Sequence, residues 1–125
     1  MNVAYVDTSA LVAIAFGERG GKVLARRLEQ CDELFSANLL EAELRASFAR
    51  EGVPLDDPLL SWITWVLPHR PLSREITTVL AAGYLRGADL WHLACAVYLV
   101  GTPRLASFIT LDQRQAEVAA TLGFK

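Results

Sequence analysis

The chain has 125 residues, 53% of them hydrophobic, which is typical of one well-buried globular domain. Its longest apolar runs are too short to cross a bilayer, and its amino terminus lacks a basic segment followed by an apolar signal core. Cys31 and Cys95 have no metal-binding spacing, so we predict buried free thiols in a cytoplasmic protein rather than a secreted, disulfide-stabilised one.

The formal net charge is −2, whereas surfaces that bind nucleic acids are usually basic. A nucleic-acid partner still fits if several of the fourteen acidic residues converge on one cation, because the remaining surface then carries net positive charge. The basic residues are arginines except for Lys22 and Lys125, and arginine suits phosphate recognition. Charge alone therefore leaves the partner open.

Predicted strands and helices alternate along the chain. Apolar runs and flanking turn residues predict strands at 2–6, 32–38 and 104–112. Helical periodicity and capping residues predict helices at 9–16, 21–30, 39–52, 56–67, 73–85, 86–101 and 113–124, the fourth capped by Asp56 or Asp57. This alternation predicts a mostly parallel central sheet covered on both faces, that is, a three-layer α/β/α domain.

Four acidic residues stand where predicted strands or turns give way to helices. Asp7 and Asp112 follow the first and third predicted strands, so both are expected at the same edge of a parallel sheet. Asp89 begins a helix after a short turn, and Glu43 lies about one turn past the second strand. Each Asp alone is explained by helix N-capping, and Glu43 alone by a solvated helix position. Their shared placement predicts one acidic cluster.

Carboxylates crowded in this way repel one another, and the cluster would destabilise the fold unless a cation compensated the charge. Oxygen ligands favour a hard cation, which predicts Mg²⁺ or Mn²⁺. Such a site suits hydrolysis of a phosphodiester bond, in which the metal polarises the phosphate and lowers the pKa of water. The acids do not distinguish DNA from RNA, because ribose is selected through contacts to its 2′-hydroxyl.

Four stretches of the chain carry a family resemblance. They are VDTSAL (6–11), SANLLEAELRAS (36–47), GADLWHLACAVYL (87–99) and FITLDQRQAEVAATLGF (108–124). In this order, and over nearly the whole chain, they resemble the PIN-domain ribonucleases, in particular the small VapC toxins of bacterial and archaeal toxin–antitoxin pairs. The resemblance implies a single PIN-like domain over residues 1–125 and a metal-dependent endoribonuclease that acts as a toxin.

Carried over by position, the resemblance implies a set of site residues. The catalytic and metal-binding residues would be Asp7, Glu43, Asp89 and Asp112. Glu43 is preferred to Glu41 because AEL matches the helix signature of the family. The supporting or phosphate-positioning hydroxyls would be those of Thr8, Ser9 and Thr110. The resemblance also implies a homodimer and a cognate VapB-like antitoxin that masks the site.

Several other residues leave alternatives open. His92 lies three residues after Asp89, but a histidine satisfied by hydrogen bonds at the core edge is preferred to a ligand, and no catalytic role is predicted. Trp62 and Trp65 share a predicted helix face, either as core or as a dimer or antitoxin interface. Arg86 is the arginine expected nearest to the mouth of the site, as an RNA contact.

Other protein classes fit the sequence less well. A receiver domain needs paired acids after its first strand and a late lysine, whereas this chain has only Asp7 there, and its lysines are Lys22 and Lys125. A haloacid-dehalogenase phosphatase needs DxD where this chain has DTS. The alternative function is a catalytically silent PIN-like domain that binds RNA or protein, and the presence of all four acids argues against it.

Overall fold

The centre of the fold is a parallel sheet. The computed structural model describes residues 1–55 and 58–125. Within these residues the strands are β1 (Val3–Val6), β2 (Glu33–Ala37), β3 (Ile63–Val66) and β4 (Ala106–Ile109), side by side in the order β3-β2-β1-β4. Every neighbouring pair is parallel, so the carboxyl ends of all four strands share one edge of the sheet.

Helices cover both faces of this sheet. In the described ranges they are α1 (Thr8–Ala15), α2 (Gly21–Glu29), α3 (Leu39–Glu51), α4 (Pro58–Ser61), α5 (Ser73–Ala82), α6 (Gly87–Val100) and α7 (Gln113–Leu122). Ala4 and Val6 of β1 belong to one buried cluster with residues of α1, α2 and α3. Tyr5, between them, belongs to a second cluster with residues of α5, α6 and α7. The predicted three-layer α/β/α fold is confirmed.

The predicted helix at 56–67 is wrong from residue 62 onward. Within its described part, residues 58–67, only Pro58–Ser61 is helical, and Ile63–Val66 forms the edge strand β3, which pairs with β2. Short apolar runs are ambiguous between helix and strand, and here β-branched and aromatic residues in ITWV favour the strand. The proposed caps Asp56 and Asp57 lie outside the described residues.

The tryptophan interpretation changes with this correction, because the two side chains do not share a helix face. Trp62 precedes β3 and is 55% exposed, while Trp65 lies in β3, half-buried against the cluster that contains Ala4 and Val6.

The thiols are free as predicted, but only Cys95 is buried, whereas Cys31 is half-buried.

Most other predicted bounds agree to within a few residues, and one of the differences lies at the end of α5. This helix ends at Ala82 rather than Leu85. Gly83 then passes close to α7, where an added Cβ would lie 2.8 Å from Cγ2 of Val118. A larger residue at this position would therefore require the side chain of Val118 to shift. No helix within the described residues has the length and apolar character needed to cross a membrane.

The strand order places a crevice at the end of β1. The chain leaves β1 toward β2 on one side, and β4 later pairs with β1 on the other. In open parallel sheets, ligands bind outside the carboxyl ends of the strands at such a switch point. Asp7 directly follows β1 and Thr110 directly follows β4, so both residues lie at this crevice.

Candidate active site

A cavity of about 440 Å³ opens at the carboxyl edge of the sheet. All four predicted acids line it: Asp7, Glu43, Asp89 and Asp112. Glu43 comes from α3 in one helical layer and Asp89 from the first turn of α6 in the other, so both layers contribute to the site. Thr8 and Ser9 also line the cavity, as does Glu18, an acid that was not predicted from the sequence. The four acids are separated by up to 105 positions in sequence, and the fold brings them to one cavity.

Asp7 is both a helix cap and a buried member of the acidic cluster. It is 4% exposed, and its Oδ2 accepts the backbone N–H of Ser9 at 3.0 Å as the N-cap of α1. Thr110 Oγ1 lies 3.3 Å from the same oxygen, and the side-chain amide of Gln115 lies 3.3 Å from Oδ1. Asp7 can therefore cap the helix and belong to the acidic cluster at the same time, because the cap uses Oδ2 and not Oδ1.

Gln115 links three parts of the site, and the sequence analysis missed it. It is fully buried, and its Nε2 donates to Oδ1 of Asp7 at 3.3 Å and to the backbone oxygen of Asp89 at 3.2 Å. Its Oε1 accepts the hydroxyl proton of Thr110 at 2.7 Å. The available signal was a polar residue on the buried face of α7, together with Val118 and Ala119.

The predicted hydroxyls have distinct partners. Thr8 donates its single hydroxyl proton to Oε1 of Glu43 at 2.7 Å. The hydroxyl of Thr8 therefore holds the carboxylate of Glu43 in place. Ser9 Oγ accepts the backbone N–H of Leu111 at 3.0 Å and lies 3.1 Å from Oγ1 of Thr110. These bonds connect the start of α1 to the segment after β4 and thus hold the two strand ends together.

Glu43 is held by two donors at one oxygen. Its Oε1 lies 2.7 Å from Thr8 Oγ1 and 2.7 Å from Nε2 of His92. Burial raises the pKa of the Glu43 carboxyl, but the hydrogen bonds from His92 and Thr8 outweigh it and lower the pKa below its usual value. Glu43 therefore remains an ionised carboxylate at neutral pH.

Asp89 shows the electrostatic cost of the cluster. Burial raises the pKa of its carboxyl, and the neighbouring charges of Asp112, Asp7 and Glu43 raise it further, against a smaller opposing effect of His92. Asp112 caps α7 by accepting the backbone N–H of Gln115 at 2.7 Å. Carboxylates that disfavour one another's ionisation are the groups that a bound cation would stabilise.

The chemistry of the donors fits a hard divalent cation. Carboxylate oxygens are the ligands that Mg²⁺ and Mn²⁺ prefer. Among the described residues, no three His, Cys, Asp or Glu side chains stand together closely enough to hold an ion by themselves. Mg²⁺ commonly keeps several waters and takes only one or two carboxylates directly, so the arrangement fits an ion held partly through water.

Arg86 lies outside the lining of this cavity. It is exposed at the N-cap position of α6, one turn before Asp89. Its proposed contact with RNA stays a prediction.

The chain is similar to known proteins over most of its length. Residues 4–121 match the PIN domain family. Two curated relatives from Mycobacterium tuberculosis, "Ribonuclease VapC45" of strain CDC 1551 / Oshkosh and "Ribonuclease VapC49" of strain ATCC 25618 / H37Rv, are each 31% identical to it over 118 residues. Each alignment covers 84% of this chain and 81% of the relative. No solved structure gives a significant match.

Proposed function

Because the chain belongs to the PIN domain family, we propose that it is a metal-dependent endoribonuclease that hydrolyses phosphodiester bonds in RNA and acts as the toxin of a toxin–antitoxin pair. One observation carries the proposal: the four predicted carboxylates, which come from four separate segments, line a single cavity at the carboxyl edge of the sheet, together with Glu18. Folds alone do not fix function, so this convergence matters more than the architecture. The ribonuclease names of the two relatives support the choice of RNA.

The residues of the cavity have two roles: some would hold the cation, and others anchor those residues. Mg²⁺ or Mn²⁺, when bound, would polarise a phosphate and make a water more acidic. Asp7, Asp89, Glu43 and Asp112 are the groups that would hold the cation, directly or through water. Asp7 is the best-anchored of them, being buried and fixed by Ser9. The anchoring network fixes the carboxylates before substrate arrives, which reduces the reorganisation needed during cleavage.

The proposal extends to the setting in which the protein works. A VapB-like antitoxin would mask the cavity, the chain would form a homodimer, and both would act in the cytoplasm on cellular RNA. These partners rest on the resemblance to VapC toxins. Exposed apolar side chains such as Trp62, Leu67, Tyr84 and Leu105 offer contact surface for them.

The test is cleavage of a mixed cellular RNA pool by protein purified free of any partner. We expect discrete fragments with Mg²⁺ or Mn²⁺ and none with EDTA. Glu43→Gln should reduce the cleavage rate by about 100-fold, because it removes a charge from the cavity. Glu41→Gln is the matched control two residues away, since Glu41 pairs with Arg45 outside the cavity, and it should cleave like the wild type.

Different outcomes separate the alternatives. Equal cleavage by both glutamine variants, or cleavage that survives EDTA, would contradict the proposed site. Preference for single-stranded DNA of the same sequence would reassign the substrate. Binding of RNA without cleavage under any metal condition would favour a catalytically silent binding domain.

A further inference from the structure

Glu43 is the last member of a chain of buried hydrogen bonds that begins in the sheet. Tyr5 of β1 and His92 of α6 are both fully buried. The Tyr5 hydroxyl lies 2.7 Å from Nδ1 of His92, and Nε2 of His92 lies 2.7 Å from Oε1 of Glu43. The chain thus links one strand, one helix of each layer and the cavity.

The direction of the protons in this chain follows from the first contact. The backbone N–H of Ala37 donates to the Tyr5 hydroxyl oxygen at 2.9 Å, so the single hydroxyl proton of Tyr5 is free to point toward His92. Burial raises the pKa of the Tyr5 phenol, which therefore keeps that proton. Nδ1 of His92 is then the acceptor for that proton, and a hydrogen on Nε2 faces Glu43.

The tautomer of His92 determines whether Nε2 offers Glu43 a proton or a lone pair. An Nε2–H group donates to Oε1 of Glu43, and Thr8 donates to the same oxygen at 2.7 Å. Among the described residues, no hydrogen bond goes to Oε2 of Glu43. One carboxylate oxygen is thus fixed by two donors, and the other is left for a ligand in the cavity. The opposite tautomer would present a lone pair to a carboxylate and release it.

We propose that Tyr5 and His92 are positioning residues that set the orientation of Glu43 through the Nε2–H tautomer of His92. This inference deepens the proposed function and rests on it, since Glu43 is taken as a carboxylate for the cation. Partners of this kind, one step removed from a metal, commonly contribute 10–100-fold to metal affinity or activity. His92 is then an orienting group for the acid, and neither a ligand nor a mere core residue.

The experiment compares two tyrosine–histidine pairs in the same protein. The chain has only two histidines, and His69 also has its Nδ1 2.7 Å from a tyrosine hydroxyl, that of Tyr98, at the surface. Tyr98→Phe is therefore the matched control for Tyr5→Phe. ¹⁵N NMR of the imidazoles at about pH 8, where an ordinary histidine is neutral, reports the tautomer directly. We expect His92 to be protonated at Nε2 in the wild type and to lose that preference in Tyr5→Phe alone.

Binding of Mn²⁺, followed by the EPR signal of the free ion, gives the second readout without activity. We expect Tyr5→Phe and His92→Leu to weaken Mn²⁺ binding about 10-fold, and Tyr98→Phe to leave it unchanged. His92→Gln should restore most of the affinity, because its amide can accept from Tyr5 and donate to Glu43. Rescue by glutamine but not by leucine separates orientation from simple packing.

The outcomes also separate this inference from the proposed function. Unchanged Mn²⁺ affinity in His92→Leu, or an Nδ1–H tautomer in the wild type, would overturn the inference even if RNA is cleaved normally. If the variants show the expected changes in tautomer and Mn²⁺ affinity but the wild-type protein cleaves no RNA, the inference is supported and the nuclease function is contradicted. Circular dichroism verifies that each variant is folded at the temperature used.

Discussion

Asp7→Asn is expected to lower metal-dependent RNA cleavage by at least about 100-fold while the protein stays folded. Asparagine caps a helix as well as aspartate does, so the hydrogen bond from the backbone of Ser9 and the start of α1 survive. What disappears is the charge at the centre of the cavity, the best-anchored oxygen ligand and the acceptor that Oδ1 offers to Gln115. Initial rates at saturating Mg²⁺, for wild type and variant prepared identically, measure the effect.

The same substitution should raise the melting temperature in buffer without divalent ions. Asp7 is one of the charges that raise the pKa of Asp89, so removing it relieves repulsion in the cluster. Glu41→Gln, which removes a charge outside the cavity, should give no such gain in stability. Added Mn²⁺ should then stabilise the wild type more than Asp7→Asn, because ligands stabilise the state that binds them. Full activity of Asp7→Asn would remove this residue from the mechanism.

Gln115→Ala is expected to destabilise the protein by about 2 kcal/mol, with a melting temperature roughly 5–10 °C lower. The buried amide serves Asp7, the backbone of Asp89 and Thr110, and its loss leaves buried acceptors without a partner. Activity should also fall, because Asp7 loses the donor at Oδ1. Thermal melts and initial rates check both effects.

Gln113→Ala is the control for this substitution. Gln113 lies two residues earlier on α7 and is exposed, and its one side-chain hydrogen bond among the described residues is a 3.4 Å contact with Glu117. It should change stability by no more than about 0.5 kcal/mol, as is usual for surface substitutions. If the two alanine variants proved equally stable and active, the network around Gln115 would have no energetic importance.

The sequence predicts what local patterns determine. Asp7 and Asp112 follow strands whose apolar runs are unambiguous, and parallel pairing then places the ends of β1 and β4 at one edge. The position of Glu43 about one turn past the second predicted strand points to the cluster, but only the resemblance prefers it to Glu41, because a glutamate inside a helix has no distinguishing local pattern. Residues 63–66 were mistaken for helix because four apolar or β-branched residues fit either period, and pairing with β2 decides the outcome.

The remaining features depend on contacts between distant segments. Gln115 bonds to Asp7 across 108 positions, and Tyr5 bonds to His92 across 87. Polar residues on buried helix faces signal that such partners exist, but a sequence does not say which partners they are. The sequence predicts that His92 is satisfied by hydrogen bonds, but its bond to Glu43 is visible only in the fold, where α3 and α6 reach the cavity from opposite faces of the sheet.

The most direct test of the central claim, that these four carboxylates hold a divalent cation, is a crystal structure of the protein grown with Mn²⁺ and measured at a wavelength where manganese scatters anomalously. We expect one or two anomalous peaks in the cavity, within coordination distance of Asp7 and bridged to other acids directly or through water. Saturating Mn²⁺ with no peak in the cavity, or with peaks only at surface acids, would contradict the claim.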